Sequence, residues 1–430
     1  MDSETFTEEF KKHFGELQGG ENLKQSLENL PLGDLQNLCD SIGRIKNTGR
    51  IFFFGNGGSF DNARLLAAAA RGSGFSASTP WHEVDYEKII AESSYTDVFS
   101  EALKKDGLNS NDIVIGLSGS GNSPNVIKAL SYAVAVGAET FALGGRDGGI
   151  MRTIVEKDHC ILAAHECMEV IEDTNNFMIL SVFHSLKEEV SLTSAVLNLL
   201  KQFQRFLNGN NFQKLGEMAA GIVESYRKGG RIFILGRGVG CNHFRADLSR
   251  GATDKIPVRG LNVPEIYTAN SYMATANDDG TDFILAAGLS NYQPGPDDFA
   301  LIFESGSNDK QALYCKELLN SRQVPYLTAG TEGLDLSCFD SVLRDFAVTM
   351  IGHSCSIVLN ACFKSSFKVR KLDVSPAFSA GQKKLGISET KDLESKYRSS
   401  GLITANEVLS FSHGLVYAVR STDSFERNFF

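Results

Sequence analysis

Between residues 51 and 125 the chain twice strings apolar residues together and then breaks abruptly into glycine and serine. The first run, IFFF (51–54), ends in GNGGS; the second, IVIGL (113–117), ends in SGSGNSPN (118–125). Continuous apolar runs of this length, bounded by turn residues, predict strands buried on both faces, as in a parallel sheet. After each loop the period changes. An alanine-rich stretch (61–71) and VIKALSYAVAVGA (126–138) read as helices, and ETFALGG (139–145) predicts a third strand. Upstream, residues 2–45 read as helices with polar connections. In DLQNLCDSIGRIK (34–46), Leu35, Leu38, Ile42 and Ile45 recur at helical spacing.

The plan is then repeated. GRIFFFGNGGSFDNAR (49–64) is answered by GRIFILGRGVGCNHFR (230–245), an offset of 181 residues. DIVIGLSGSGN (112–122) is answered by DFALIFESGSN (298–308), and ETFALGG by PYLTAGT. A chain of 430 residues with such repetition predicts two α/β units rather than one large domain. The expected boundaries are a helical segment 1–45, a first unit 46–200, a second unit 201–371 that includes its leading helix, and a C-terminal extension 372–430. In that extension SPAFSAGQKKLG reads as loop and ITANEVLSFSHGLVYAVRS as strand or hairpin, packed on the second unit or on a partner subunit.

Composition narrows the function. With 42% hydrophobic and 22% charged residues the chain is ordinary for a soluble globular protein. No apolar run reaches the roughly 18–20 residues of a membrane span, and the charged start MDSETFTEEFKKHF has no signal core, so no membrane association is expected. Eight cysteines without a CxxC pair point to reduced thiols in the cytoplasm. A net charge of −10 disfavours nucleic acid as a partner.

Ligands of a parallel α/β sheet sit beyond the carboxyl ends of its strands, where both glycine loops lie. There the glycines Gly57, Gly58, Gly119 and Gly121 let backbone approach a ligand, the helix starts offer free N–H groups, and Ser59, Ser118, Ser120 and Ser123 add hydroxyls. This is a neutral cradle for a phosphate. It is no Walker loop, which requires GK[ST], and GNGGSF lacks the third glycine of a dinucleotide fingerprint; no cofactor is implied.

The two loops together, GNGGS followed by a helix and SGSGNSPNV, resemble the sugar isomerase (SIS) fold, most nearly in phosphoheptose isomerases. The resemblance is specific over 49–149 and weaker over 230–332. It implies two doubly wound parallel-sheet SIS units in tandem, paired as an internal pseudo-dimer, with a homo-oligomer, a dimer, as the expected assembly. It also implies that Asn56, Gly57, Gly58 and Ser59 form the first substrate loop and that Ser118, Ser120 and Ser123 hold the phosphate. TANDDGTDF puts Asn277 and Asp278 at a sugar-contacting pair, with Glu92 at the matching place in the first copy. The family's metal-ligand histidine and base glutamate, however, are replaced by Leu65 and Ala69, and by Ala246 and Arg250 in the second copy. No metal is therefore expected.

Enediol isomerisation needs a base between C1 and C2 and an acid for ring opening. Glu172 and His184, on the late helix within 165–187, are candidates, as are Glu304 and His353 in the second copy. His243 and Glu265 could face the same crevice, and Arg237 would suit an anion. Lys383, Lys384 and His413 are tail candidates by fold analogy. The reading is a metal-independent phosphosugar isomerase acting on a heptose-like phosphate. The alternatives are a non-catalytic sugar-phosphate sensor, or another SIS activity such as an aminosugar-phosphate deaminase, epimerase or lyase.

Overall fold

A computed structural model describes residues 2–14, 29–81, 83–251 and 261–366. The tail candidates Lys383, Lys384 and His413, and the extension 372–430 as a whole, lie outside the described residues. In chain order the elements are α1 (Ser3–Phe14), α2 (Leu32–Arg44), β1 (Ile51–Gly55), α3 (Gly58–Gly72), β2 (Ala77–Ser78), α4 (Glu83–Glu92), α5 (Val98–Lys105), β3 (Ile113–Ser118), α6 (Pro124–Val136), β4 (Glu139–Gly145), β5 (Cys160–Ala163) and α7 (Met168–Glu188). They continue with α8 (Leu192–Phe206), α9 (Gly209–Lys228), β6 (Ile232–Leu235), α10 (Val239–Ala246), α11 (Ala269–Asp278), α12 (Ile284–Ser290), β7 (Phe299–Phe303), α13 (Lys310–Ser321), β8 (Tyr326–Gly330), β9 (Leu334–Asp335) and α14 (Ser341–Ser366).

The strands form two wholly parallel sheets, β2-β1-β3-β4-β5 and β6-β7-β8-β9. The apolar runs make the buried strands as expected. Successive side chains point to opposite faces, so Ile51 and Phe53 enter one core while Phe52 and Phe54 enter another with Val98, Phe99 and Leu130. The first of these cores is continuous: it also takes in Ile232, Ile234, Leu301 and the apolar positions of α14, so the inner faces of the two sheets and the helices between them share one interior. Phe233, Ala300 and Ile302 face a third, outer cluster.

The sequence repeat has a physical counterpart. Arg50 N–H and its guanidinium bind Asp112 (N···Oδ1 2.9 Å, Nη2···Oδ2 2.6 Å), and Arg231 binds Asp298 the same way (2.8 and 2.7 Å). Each brace locks the start of a first strand to the start of its neighbour. The preceding Gly49 and Gly230 lie against the carbonyls of Asn111 and Asp297, where a Cβ has no room. Gly-Arg-Ile-Phe therefore repeats because the same joint is built twice.

Three further points come from the tertiary structure. Residue 200 lies inside α8, in the helical connection expected there, and the chain turns at Leu207–Asn208, where the Asn208 side chain accepts from Asn211 N–H and caps α9. Helix α1 packs on α9, at the head of the second half: a Cβ on Gly216 would meet Ser3 and Thr7. Phe6, Phe10 and Phe14 are buried there. Finally, Ser341–Asn360 of α14 is long and apolar enough to cross a membrane by length and composition, but 78% of that stretch is buried inside the protein. It is apolar all round because it is surrounded, not because it faces lipid.

Candidate active site

The first loop is bent by Gly57, which takes φ +55° just before α3. Asn56 is fixed by three hydrogen bonds. Its amide exchanges two with Asn125, each 2.8 Å, and its Oδ1 accepts from Tyr95 Oη at 2.8 Å. Asn125 lies in the first turn of α6, so the two loops are tied side by side. In the second loop Ser118 and Ser123 bring their hydroxyls within 3.0 Å, and Ser120 Oγ accepts from Asn122 N–H at 3.3 Å. Gly119 packs against Met168 at the start of α7, which leaves no space for a side chain. These serines, at the end of β3 and before α6, form a cradle of hydroxyls and helix-start amides suited to an anion.

Glu172 lies one turn into α7 and joins this loop to the middle of the molecule. Ser59 Oγ donates to Glu172 Oε1 at 3.2 Å, and the carboxylate lies so close to Gly58 that any Cβ there would overlap it. Asn62 donates to the Glu172 carbonyl (3.2 Å) and accepts from Asn176 (2.9 Å), which fixes α7 on α3. On its other side, Glu172 Oε2 is 3.3 Å from His353 Nε2 and 3.7 Å from His243 Nε2. The two histidines come from α14 and α10 of the second half, and their Nε2 atoms are 3.0 Å apart. Asp173 Oδ1 holds His353 Nδ1 at 2.7 Å, and Asp247, one turn after His243, lies 3.7 Å from both imidazoles.

The electrostatics follow from this packing. Burial opposes charge on His353, but Asp173 and Asp247 outweigh it and hold the imidazole well above its ordinary value. Burial and the facing His353 push His243 down to about 3, so it is the neutral partner. The assignment that fits is a His353 imidazolium that donates to Asp173 from Nδ1 and toward Glu172 and His243 from Nε2. His243 Nδ1 is then buried without a hydrogen-bond partner. Burial also pushes the Asp247 carboxyl well above the usual range. Within this group His243 and His353 have 1% and 0% of their side chains exposed, whereas Glu172 has about 10% and Asp247 18%, so the two carboxylates lie toward the outside.

The structure thus brings together Asn56, Gly57, Gly58 and Ser59 with Glu172, and Glu172 with His353 and His243. It does not bring in the other candidates. His184 is three turns further along α7, about 18 Å by helical rise, and half-buried. Glu92 is exposed and reaches Lys88 at 3.9 Å on α4. Asn277 and Asp278 are exposed at the end of α11 and bond each other. Glu265 is exposed, and its carbonyl accepts from Tyr292. Glu304 is buried in an ion pair with Lys316 Nζ at 2.6 Å, which neutralises it as a base. Arg237 donates to Ser305 Oγ at 2.9 Å and lies 3.9 Å from Asp309, so its charge is already directed to the chain's own groups.

Leu65 and Ala69 are buried apolar side chains of α3, so a metal held from those positions does not fit this chain. A different set does offer donors: Glu172, His243 and His353 each bring one ligand atom, all within 4.8 Å of one another. Sequence reasoning found Glu172 and His353 and raised His243, but passed over Asp173 and Asp247. The available signal was Asp247 four residues after His243, on one helical face.

The chain is similar to known proteins over part of its length. The SIS domain family matches residues 34–145. The phosphoheptose isomerase of Helicobacter pylori (strain Shi470) is 36% identical over 151 residues, 34% of this chain and 77% of that protein. The phosphoheptose isomerase of Akkermansia muciniphila is 34% identical over 137 residues, 30% of this chain and 70% of that protein. Among solved structures, a phosphosugar isomerase candidate from Salmonella typhimurium LT2 superposes with a TM-score of 0.52 at 12% identity, covering 80% of this chain and 92% of its own. At that identity the likeness concerns the fold, and it extends over both sheets.

Proposed function

The chain belongs to the SIS domain family, and on that premise we propose that it is a phosphosugar isomerase that interconverts an aldose and a ketose phosphate through an enediol. The observation that carries the reading is the seat of Glu172: one oxygen against Ser59 of the substrate loop, the other against the His353 imidazolium. A carboxylate held this way is oriented, charged and partly reachable from the crevice, as a proton-moving base must be.

In this reading Ser118, Ser120 and Ser123 take the phosphate, with the amides at the start of α6. Asn56, locked by Asn125 and Tyr95, and the Gly57–Ser59 backbone line the sugar's reacting end. Glu172 removes the proton from the carbon beside the carbonyl, leaving an enediolate; the hydroxyl proton passes to the former carbonyl oxygen, and the same carboxylate returns its proton to the neighbouring carbon as the new carbonyl forms. His353, buried behind Glu172, does not touch the sugar; it holds the carboxylate in place and tempers its charge. The second half reads as a second, altered SIS-type unit whose contribution is structural and electrostatic. A heptose-like substrate belongs to the same proposal, by analogy with the matched phosphoheptose isomerases, and so does pairing into a homodimer.

Leu65 and Ala69, in place of the family's histidine and glutamate, favour a second reading: a sensor that binds a sugar phosphate without turning it over. Incubation with sugar phosphates in deuterated water separates the two. An isomerase incorporates deuterium at C1 or C2, and Glu172→Gln abolishes that exchange while binding persists. Binding without exchange in the unaltered protein leaves the sensor as the answer.

A further inference from the structure

We propose that Glu172, His243, His353 and Asp247 form a divalent-metal site, suited to zinc, that bridges the two halves of the molecule. These four are not the positions to which the family resemblance would assign ligands, since Leu65 and Ala69 carry no donor atom.

The argument begins with distances. Zinc bound tetrahedrally at roughly 2.0–2.1 Å from nitrogen and oxygen places its ligand atoms about 3.3 Å from each other. Here the separations are 3.0 Å between the two Nε2 atoms, 3.3 and 3.7 Å from Glu172 Oε2 to His353 and His243, and 3.7 Å from Asp247 to each imidazole, by Oδ1 to His243 and by Oδ2 to His353. They scatter about the tetrahedral edge. Two facing imidazole nitrogens repel unless a proton or a cation lies between them, and a dication satisfies both lone pairs at once.

Charge points the same way. Glu172, Asp173 and Asp247 surround two histidines in the interior, and the ion pairs these carboxylates make are with those histidines. One imidazolium cannot balance three carboxylates, and buried carboxylates need either protons or a counter-charge. A divalent cation supplies it. The Oδ2 of Asp247 is buried without a hydrogen-bond partner, as an atom awaiting a ligand would be. Asp173 completes the arrangement. It accepts from His353 Nδ1, which turns Nε2 inward, the orienting carboxylate that metal-bound histidines usually have. The donor set of two imidazoles and two carboxylates suits zinc better than magnesium or calcium, which take oxygen ligands in larger number. Glu172 Oε1, against Ser59, stays directed at the substrate loop.

The test uses the full chain, stripped with a chelator and titrated with zinc chloride by calorimetry, with bound metal counted by atomic emission. Cobalt(II) provides a spectroscopic readout, because four-coordinate cobalt absorbs strongly in the visible. The expected result is one equivalent per chain, a rise in melting temperature on loading, and tetrahedral cobalt bands. H243N and H353Q are expected to lose stoichiometric binding and the bands. D173N, which keeps all four ligands, is expected to bind 10- to 100-fold more weakly. H159Q, at the exposed Glu156–Asp158–His159 cluster, is the control and leaves binding unchanged. Absence of one-equivalent binding in the unaltered protein overturns the proposal, and so does binding that H243N, or D173N should the former not fold, leaves intact. The inference concerns the same Glu172 as the isomerase reading, with zinc in place of the His353 Nε2 proton; zinc binding is read without substrate and deuterium exchange separately, so each can fail alone.

Discussion

The two halves of the molecule carry the same kind of loop after β3 and β7, and the loops have opposite fates. In the first half, SGSGNSP, the hydroxyls of Ser118 and Ser123 bond only weakly to each other and remain disposed around the start of α6. In the second half, ESGSNDK, Asp309 stands where the first half has Ser123. Its carboxylate accepts from Ser305 N–H (2.8 Å), Ser305 Oγ (2.7 Å) and Ala312 N–H (3.2 Å). Although burial opposes it, these donors hold the Asp309 carboxyl below its usual range. The other loop of this half is closed likewise: Asp345 accepts from Val239 N–H and Gly240 N–H at 3.0 and 3.1 Å, at the start of α10. The chain has supplied its own anions to the amides that could have held a phosphate. The same backbone geometry thus leaves the first half's loop without an internal carboxylate and makes a helix cap in the other, and in each loop one carboxylate makes the difference.

The sharpest way to break this comparison is to remove one carboxylate from each half, Glu172 behind the first half's substrate loop and Glu304 at the start of the second half's loop. Glu172→Gln is expected to lower the isomerisation rate by about 10²–10⁴-fold, the usual worth of a positioned base, with sugar-phosphate binding retained. Glu304→Gln is expected to leave turnover near normal and to lower stability instead, because Lys316 loses its buried partner and keeps only the exposed Glu332. Equal effects of the two on turnover would remove the distinction.

Acid sensitivity is the next largest effect, and it probes the seam between the halves. His13 on α1 is fully buried, and burial, with His353 and His165 adding to it, lowers its pKa from 6.5 to about 4. Between these values the unfolded chain binds the proton and the folded one does not. The stability present above pH 6.5 is therefore lost as pH falls toward 4, by about 3 kcal/mol in all. Denaturant titrations from pH 7.5 to 4 are expected to show this slope, and His13→Leu to flatten it.

The cradles themselves give smaller, graded effects. Ser118→Ala with Ser120→Ala is expected to weaken sugar-phosphate binding by tens- to hundreds-fold, at about 1.5–3 kcal/mol for hydrogen bonds to a charged group. Ser305→Ala with Ser307→Ala is expected to change it little. Calorimetry decides, and unchanged affinity in the first pair would rule out the cradle. Smallest is Asp309→Ser, which removes a helix cap worth about 1 kcal/mol; it is expected to lower the melting temperature slightly and to let inorganic phosphate protect the second loop.

Much of the architecture was legible in the chain. Continuous apolar runs gave β1, β3, β4 and their counterparts β6, β7 and β8, because a strand buried on both faces must be apolar at every position. The glycine–serine loops pointed to the crevice, since only those residues can put bare amides and hydroxyls at strand tips. The short strands β2, β5 and β9 left no such mark; two to four residues paired along one edge resemble any loop. The packing of α1 on the second half was hidden too, because Phe6, Phe10 and Phe14 state that a face is buried but not against what.

The sequence by itself determined the repeated strand–loop–helix order and the chemistry available at the strand tips, because both depend on neighbours within a few residues. Tertiary structure alone decided which acids and bases work together. Glu172 meets His243 and His353 across more than 70 and 180 residues of chain, Glu304 is neutralised by Lys316, and Asn277, Asp278 and Glu92 are left in solvent. Charge, proton affinity and reach are set by what lies within a few ångströms in space, and no local pattern records that distance.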